Sequence, residues 1–456
     1  MRTLVSGICC LAVGVLLLMT GGTAHSETIQ DAIQATIQSN PDVRATAYNK
    51  LAREQEVVQA RSRYFPTLDV RGSTGYYDQH HPKDYHNWPK EAALSLRQNV
   101  FEGGASLSEV QRQQARVKSQ AYLVQAVSEN IGLQACRAYL NVLREVELYK
   151  LAQENLRIHE RMHDQVRSRS EAGVDRRADL DQVSGRLALA QANLVTAKAN
   201  LEDARSDYQA IVGHLPDDNL EMPAAVDAAI PGSKEEAEYL AIQGYPTLKS
   251  AKADVEAREK QHETAKRVLS PSFDIAADYR WQDGTDGLVD TSMLTAAAPK
   301  ATTRDIYRED VSVTASVRFN IFNGFQNMGR IKETRLLVSE AEEIMKSTQR
   351  QVAHSVRLSY ESYLAAQERM KKLDAYAKSA ELTANAFVVQ WNIGRRTLFD
   401  ILDTQAEYIN AKSDLVNATY DQRYASYRVL AGMGKLSETL GVAHPEEGKA
   451  ENIKKY

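Results

Sequence analysis

Hydrophobic residues recur every seven positions along the segment that follows Gly173. A large apolar residue occupies one position of this repeat, at Leu180, Leu187, Leu194, Leu201 and Tyr208, and a smaller one follows three residues later, at Val183, Ala190, Ala197, Ala204 and Ile211. A sustained pattern of this kind predicts a helix that packs closely on another helix as a coiled coil. We expect the partner to be a matching stripe on the preceding segment, at Val110, Val117, Val124, Ile131 and Ala138.

That preceding segment, from Ala105 to about Ser170, contains no proline and no other obvious stop signal. It therefore predicts one continuous helix of roughly 100 Å, at about 1.5 Å per residue. The composition agrees with long helices, because aromatic residues make up only 7% of the chain and prolines number 11. A compact mixed fold would contain more of both.

Four shorter stretches alternate between apolar and polar residues, with the period of two that predicts β-strands. They form two hairpins, at about 66–101 and about 271–323. The apolar positions are Leu68, Val70, Ala92, Leu94, Leu96 and Val100 in the first hairpin, and Phe273, Ile275, Ala277, Tyr279, Trp281, Val311, Val313, Ala315, Val317, Phe319 and Ile321 in the second. One apolar and one polar face is typical of membrane barrel strands, and a two-sheet sandwich is the alternative. Since the smallest single-chain barrels need about eight strands, we expect several chains to share the barrel.

The whole pattern occurs twice. Gly394 follows Gly173 by 221 positions, whereas Pro246 follows Pro41 by 205, so the second hairpin loop holds an insertion of 16 residues between about Gly284 and Glu309. The predicted organisation is a signal peptide at 1–26, a first repeat at 27–232, a second repeat at 233–440 and a C-terminal tail at 441–456. Each repeat contains a helix, a β-hairpin, a very long helix and a heptad helix.

The N-terminus predicts export. Arg2 supplies a positive charge, an apolar run from Leu11 to Met19 follows, and small residues lead to a cleavage site after Ser26. The alternative, a membrane anchor, is disfavoured because the apolar run is too short to span a bilayer. Removal of the leader leaves Cys136 as the one cysteine, which we interpret as a helix-packing residue rather than a nucleophile.

Charge and motifs exclude several function classes. The chain has 56 Lys+Arg and 60 Asp+Glu, a net charge of -4, so no basic surface is predicted for nucleic acid. Phosphate-binding loops, zinc spacings and hydrolase triads are not found, and we expect neither an enzyme nor a cofactor. His80, His81 and His86 could bind a metal, but their position in a predicted outer loop favours a solvated loop without metal.

The segment from Trp391 to Asp403 carries the candidate chemistry. Gly394, like Gly173 in the first repeat, is predicted to form the turn at the tip of a helical hairpin. Asp400 and Asp403 are three residues apart and so lie on one face of the following helix. Such a pair is often only a solvated face. If several chains placed this pair around one axis, however, the carboxylates would repel one another and attract cations.

Together these features resemble the TolC family of outer-membrane efflux and secretion ducts. The resemblance extends from about Thr28 to Leu440 and includes the stretch Gly394-Arg395-Arg396-Thr397-Leu398-Phe399-Asp400-Ile401-Leu402-Asp403. It implies a mainly α protomer with membrane β-strands. In a homotrimer, four strands per chain would build a 12-stranded β-barrel continuous with an α-helical tunnel across the periplasm. The expected location is the bacterial outer membrane, in contact with its lipid.

The resemblance also implies roles for individual residues at the periplasmic tip. Arg396 would tie neighbouring helices by meeting Asp179, while Asp400 and Asp403 would ring the narrowest point of the tunnel. Trp391 would belong to the same gate, at a position where the family often has tyrosine. Ala178 stands where a hydroxyl residue would help to bind the arginine, a second departure from the family.

The function implied is a passive exit duct in a three-part export system. Its partners would be a periplasmic adaptor and an inner-membrane transporter of the ABC or RND type. Two alternatives remain open from the residues alone. A periplasmic adaptor would have one hairpin per chain with globular β modules, and a coiled-coil surface protein would lack the amphipathic strands. Whether the cargo is a secreted protein or a small molecule is left open.

Overall fold

The computed structural model describes residues 26–80, 85–173, 176–217, 219–284 and 308–450. The elements of its first half are α1 (Ile29–Ser39), α2 (Pro41–Arg61), β1 (Thr67–Thr74), β2 (Tyr77–Gln79), β3 (Tyr85–Asn87), β4 (Lys90–Glu102), α3 (Ala105–Glu171) and α4 (Arg177–Val212). Those of its second half are α5 (Lys234–Gly244), α6 (Pro246–Arg267), β5 (Ser272–Asp283), β6 (Arg308–Arg318), α7 (Gln326–Asn392), α8 (Leu398–Gly432) and α9 (Leu436–Leu440). Within these ranges, no helix has the length and hydropathy required to cross a membrane.

Two very long helices dominate the molecule. Both α3 and α7 contain 67 residues, which gives each a length of roughly 100 Å and confirms the predicted long helix. Each begins directly after a hairpin strand and ends at a tight turn, beyond which α4 or α8 runs back antiparallel. The strands therefore lie at one end of the protomer and the two helical turns at the other.

The predicted heptad seam of α4 forms, but its partner differs from the prediction. The seam is buried at Val183, Ala190, Leu201, Ala204 and Tyr208, and half-buried at Leu187 and Leu194. The predicted partner stripe on α3 is wrong at its N-terminal end. There, Val110 and Val117 pack against Val57 and Ala60 of α2 and not against α4. The reason is length: α4 has 36 residues, so it turns back along only part of α3. Near the tip it meets Met162 and Val166 instead.

The four main strands form one antiparallel sheet in the order β1-β4-β5-β6. Their register aligns the alternating residues into rows. One apolar row is Val70, Leu94, Tyr279 and Val311, and the adjacent polar row is Asp69, Ser95, Asp278 and Ser312. The apolar side chains are solvent-exposed in the single chain, by 80% at Val70 and 77% at Val311. The sheet thus presents one apolar and one polar face, as predicted.

A β-bulge corrects the predicted face of one residue. Simple alternation places Val100 on the apolar face, but the register shifts between Asn99 and Phe101. One extra residue in a strand displaces those that follow it. As a result, Phe101 rather than Val100 pairs with Phe273, with 6.0 Å between the ring centroids.

The largest apolar cluster lies halfway along the long helices, where α1, α5 and α9 pack around α3, α4, α7 and α8. We call this layer of short helices the belt. Tyr139 of α3 points into it, and its hydroxyl donates to the backbone oxygens of Glu27, at 2.8 Å, and Glu221, at 2.6 Å. Cys136 is fully buried in the same cluster, and burial raises the pKa of its thiol. This environment supports a packing role for Cys136.

Some expectations fall outside the described residues. These are the leader up to residue 25, most of the insertion in the second hairpin loop, and His81. The boundaries of the signal peptide, the two repeats and the tail remain predictions.

Candidate functional site

The two helical hairpins end in turns at which the backbone is left-handed. Gly173 follows α3 and Gly394 follows α7, each with φ of 75°. After α7, the backbone N–H of Gly394 donates to the oxygen of Trp391, and that of Arg395 to the oxygen of Gln390, both at 2.9 Å. These two hydrogen bonds end the helix at a position that strongly favours glycine, because a residue with a Cβ would be strained in this conformation.

An apolar cluster holds the four helices together next to these turns. Trp391 is only 7% exposed and belongs to a cluster with members on all four helices of the tip. The cluster, called here the tip cluster, consists of Met162, Val166, Val183, Trp391, Leu398, Ile401 and Leu402. The guanidinium of Arg169 lies 5.4 Å from the centre of the Trp391 ring, within cation–π range. The structure therefore makes Trp391 a packing anchor of the tip, and its part in the gate stays a prediction.

Asp400 forms a capping box at the start of α8. Its Oδ2 accepts from the backbone N–H of Thr397 at 3.0 Å and from the Thr397 hydroxyl at 2.9 Å. The backbone N–H of Asp400 donates in return to the Thr397 hydroxyl, at 3.3 Å. The sequence pattern Thr-x-x-Asp before an apolar run signals such a cap and would have identified it from the sequence alone.

The same hydrogen bonds from Thr397, with a smaller contribution from the charge of Arg396, lower the pKa of Asp400. A carboxyl whose folded-state pKa is depressed adds stability at neutral pH, and that contribution is lost as the pH falls through the lowered pKa. The cap is therefore fully ionised at neutral pH. Its contribution to stability is lost progressively as the pH falls below the ordinary carboxyl range.

The remaining carboxylates of the tip differ in their surroundings. Asp179 occupies the position in α4 that Asp400 has in α8, and its Oδ2 accepts from the backbone N–H of Arg176 at 3.4 Å. Asp403 is exposed, one turn after Asp400. In the described part of the chain it has neither a hydrogen bond nor an ion pair. Among the three candidate aspartates, Asp403 is therefore the one that is exposed and not engaged at a helix start.

Arg396 is held by its own hairpin. Its Nε donates to Oε1 of Gln390 at 3.0 Å, and its guanidinium lies 4.0 Å from the centre of the Phe387 ring. Among the described residues, nothing pairs with its two terminal nitrogens, and no ion pair joins it to Asp179 within one protomer. Phe387 and Gln390 were missed by the sequence analysis because no local motif shows which side chains Arg396 reaches across a turn.

A metal site is not found at the tip or elsewhere in the described ranges, where no group of three or more His, Cys, Asp or Glu residues could hold an ion. His80 is near Asp78, with 3.6 Å between Nε2 and the carboxylate. What the tip can provide is therefore charge and packing. It combines a buried apolar anchor, an arginine with free donors and an exposed aspartate.

Replacing Thr397 by alanine should destabilise the start of α8. The cap loses the hydroxyl that both donates to Asp400 and accepts from it, a change that typically costs about 1 kcal/mol. We expect faster amide hydrogen exchange in the first two turns of α8, with the sheet unaffected. Thr383→Ala is the matched control, since that hydroxyl only donates to the backbone oxygen of Ser379. Equal exchange in both variants would contradict the capping role.

Known proteins resemble this chain over nearly its full length. The Brucella suis biovar 1 (strain 1330) outer membrane efflux protein BepC is 23% identical, over 97% of this chain and 94% of its own. The Escherichia coli (strain K12) outer membrane protein TolC is 24% identical, over 94% of this chain and 86% of its own. The solved Campylobacter jejuni CmeC outer membrane channel has a TM-score of 0.74 at 14% identity, covering 92% of this chain and 89% of that one.

The family evidence covers both halves of the chain. The family described as outer membrane efflux protein matches residues 32–214 and 238–435. These ranges contain all four main strands, both long helices and the whole tip, so the match is not limited to one hairpin. The chain belongs to the outer membrane efflux protein family.

Proposed function

We propose that three copies of this chain form a passive duct that rests closed at its periplasmic tip and is opened there by its partners. The chain is an outer membrane efflux channel, and its family forms trimeric channels that work with export systems. We further propose two partners. A periplasmic adaptor contacts the helical end of the duct, and an inner-membrane transporter of the ABC or RND type supplies energy. The periplasmic adaptor and surface coiled-coil alternatives no longer apply, since the family match spans both repeats.

The sheet supports a barrel shared by three protomers. Its apolar face is exposed on all four strands, and among the described residues β1 and β6 are each paired on one side only. Backbone groups within a bilayer must be hydrogen-bonded internally. Pairing β6 of each protomer with β1 of the next would satisfy both edges and give twelve strands, with apolar side chains towards lipid and polar ones towards the lumen.

The main support for a closed tip is the position of Arg396. Stacking on Phe387 and bonding to Gln390 fix the side chain, while its terminal nitrogens stay available. A guanidinium held in this way can bind a carboxylate through two parallel hydrogen bonds. We infer that Arg396 meets Asp179 of the neighbouring protomer, since the two do not meet within one chain. Three such contacts would hold the tip closed.

Asp403 supports a separate role in ion selection. Because Asp400 is engaged in its cap, Asp403 is the better candidate for a ring of carboxylates around the axis. Three exposed carboxylates near one axis attract cations and would favour their passage. Asp400 would contribute to the same ring only through its second oxygen.

Arg396→Ala should open the tip. Loss of the guanidinium leaves Asp179 unpaired and shifts the closed-to-open equilibrium towards open, so conductance in planar bilayers should rise several-fold and cells should become sensitive to large antibiotics. Arg395→Ala is the control, because it removes the same charge one residue away. If both variants conducted like the wild type, the proposed contact would be wrong.

The second variant, Asp403→Asn, tests the proposed ring of carboxylates through its conductance and ion selectivity in the same bilayers. We expect Asp403→Asn to leave the resting conductance unchanged, to reduce the preference for cations and to weaken block by multivalent cations. If Asp403→Asn opened the pore while Arg396→Ala did not, the roles of the two residues would be reversed.

A further inference from the structure

We propose that the duct has a binding site for aromatic monocarboxylates, solutes that join an aromatic ring to a single carboxylate, at the level of the belt. The site is a groove of 1080 Å³ between α3, α4 and α8. Its charged and aromatic lining includes Arg137, Arg144, Asp207, Asp421, Tyr424 and Arg428. None of these residues belongs to the tip.

The groove lies on the side of the helices away from the belt. Tyr139 marks the belt side of α3, since its hydroxyl reaches Glu27 and Glu221. Arg137 and Arg144 are two and five residues away, which places them about 160° and about 140° around the helix from Tyr139. A channel must keep its lumen open, so the belt lies outside and the groove faces inwards. This step rests on the proposed duct.

Two of the three arginines in the groove lack a neutralising carboxylate. Arg144 is bonded to Glu145, with 3.1 Å between Nη2 and Oε1. Arg137, by contrast, lies over the ring of Tyr424, with 5.9 Å between its guanidinium carbon and the ring centre. Arg137 and Arg428 have no ion pair within the described ranges. They therefore supply the positive charge that an entering anion would meet.

The acidic residues of the groove limit that charge. Asp421 is paired with Arg369 at 3.7 Å, whereas Asp207 has no ion pair in the part of the chain that the structure describes. Asp207 lies on the α4 wall and offsets part of the positive charge of Arg137 and Arg428. One carboxylate would balance the remainder, and a second would be repelled. The groove should therefore accept one carboxylate and disfavour two.

Tyr424 selects for an aromatic ring. Tyr424 is half-buried and already lies beneath Arg137, which leaves an aromatic and guanidinium surface for stacking. A guanidinium fork binds a carboxylate in two hydrogen bonds. A ligand that offers both groups would use Tyr424 and the arginines at once. A simple anion would use only the arginines.

The test measures binding of 1-naphthoate to the full-length trimer in detergent by titration calorimetry. We expect saturable binding at one site per protomer. The double variant Arg137→Gln with Arg428→Gln should weaken binding roughly 10- to 100-fold, the effect of losing hydrogen bonds to a charged group. The matched control is Arg157→Gln with Arg161→Gln. These two arginines are exposed on α3, on the same side as Tyr139, and their removal should leave affinity unchanged.

Two further ligands test the chemistry. Neutral 1-naphthamide should bind the wild type at least about 10-fold more weakly than naphthoate. A naphthalene dicarboxylate should bind weakly to the wild type and more tightly after Asp207→Asn. Equal affinity of the double variant and the wild type for naphthoate, or equal binding of the acid and the amide, would overturn the proposed site.

The conductance of the double variant separates this inference from the proposed duct. A conducting trimer that fails to bind naphthoate supports the site, provided that the wild type binds it. If the wild type conducts but does not bind, only the site is wrong. If neither the wild-type trimer nor the Arg396→Ala variant conducts, the proposed duct is wrong.

Discussion

Replacing Val313 by arginine should remove most of the trimer from the outer membrane. Val313 is 75% exposed, lies mid-strand in β6 and pairs with Ala277 on the apolar face of the sheet. An arginine on the lipid side of a barrel costs about 2–4 kcal/mol at the bilayer midplane. A trimer would carry this cost three times. Membrane fractionation and heat-resistant trimer on gels would measure the loss.

The control is one residue away. Ser312 lies on the polar face and pairs with Asp278, so an arginine there would face water and meet a carboxylate. Opposite charges across a strand pair are mildly stabilising, and Ser312→Arg should yield normal amounts of trimer. Equal loss from both variants would show that the two faces of the sheet do not differ in environment, contrary to the barrel proposed here.

Trp391→Ala should loosen the packing of the tip without unfolding the rest of the protein. Removing a large buried aromatic side chain typically costs about 3–5 kcal/mol, and here the loss falls on the cluster that joins all four helices at the tip. The ring beneath Arg169 would disappear with it. We expect a higher resting conductance, earlier proteolytic cleavage near the turns and little change in the sheet or the belt.

Phe399 supplies the comparison, since it is also aromatic and near the tip but 62% exposed. Phe399→Ala should leave conductance and proteolysis close to those of the wild type, and Trp391→Phe should give an intermediate result because it retains most of the packing. Should Trp391→Ala conduct like the wild type, the tip cluster would not contribute to closure.

The features predicted from the sequence are those that depend on local periodicity. The heptads of α4 and the alternation of β5 and β6 each arise from the geometry of a single element, so the sequence alone reveals them. The family motif also located the tip. The belt was not found from periodicity, because the contact between Tyr139 and Glu27 joins residues 112 positions apart.

The errors arose where two elements determine the outcome together. The bulge after Asn99 depends on the register with β5, and no alternation within β4 reveals it. The burial of Trp391 was not predicted, because it results from four helices that converge at the tip. The shared capping position of Asp179 and Asp400 was not predicted either: each accepts a hydrogen bond from a backbone N–H at the start of its helix.

The unpaired sides of β1 and β6 also constrain how the protein is made. A lone protomer entering lipid would carry two rows of backbone groups without partners, each costing several kcal/mol in hydrocarbon. In water, the same edges and the exposed apolar face would favour aggregation. Insertion of single chains followed by lateral association is therefore disfavoured. Trimerisation must precede membrane insertion or accompany it, and the newly exported chain needs its edges shielded until its two neighbours arrive.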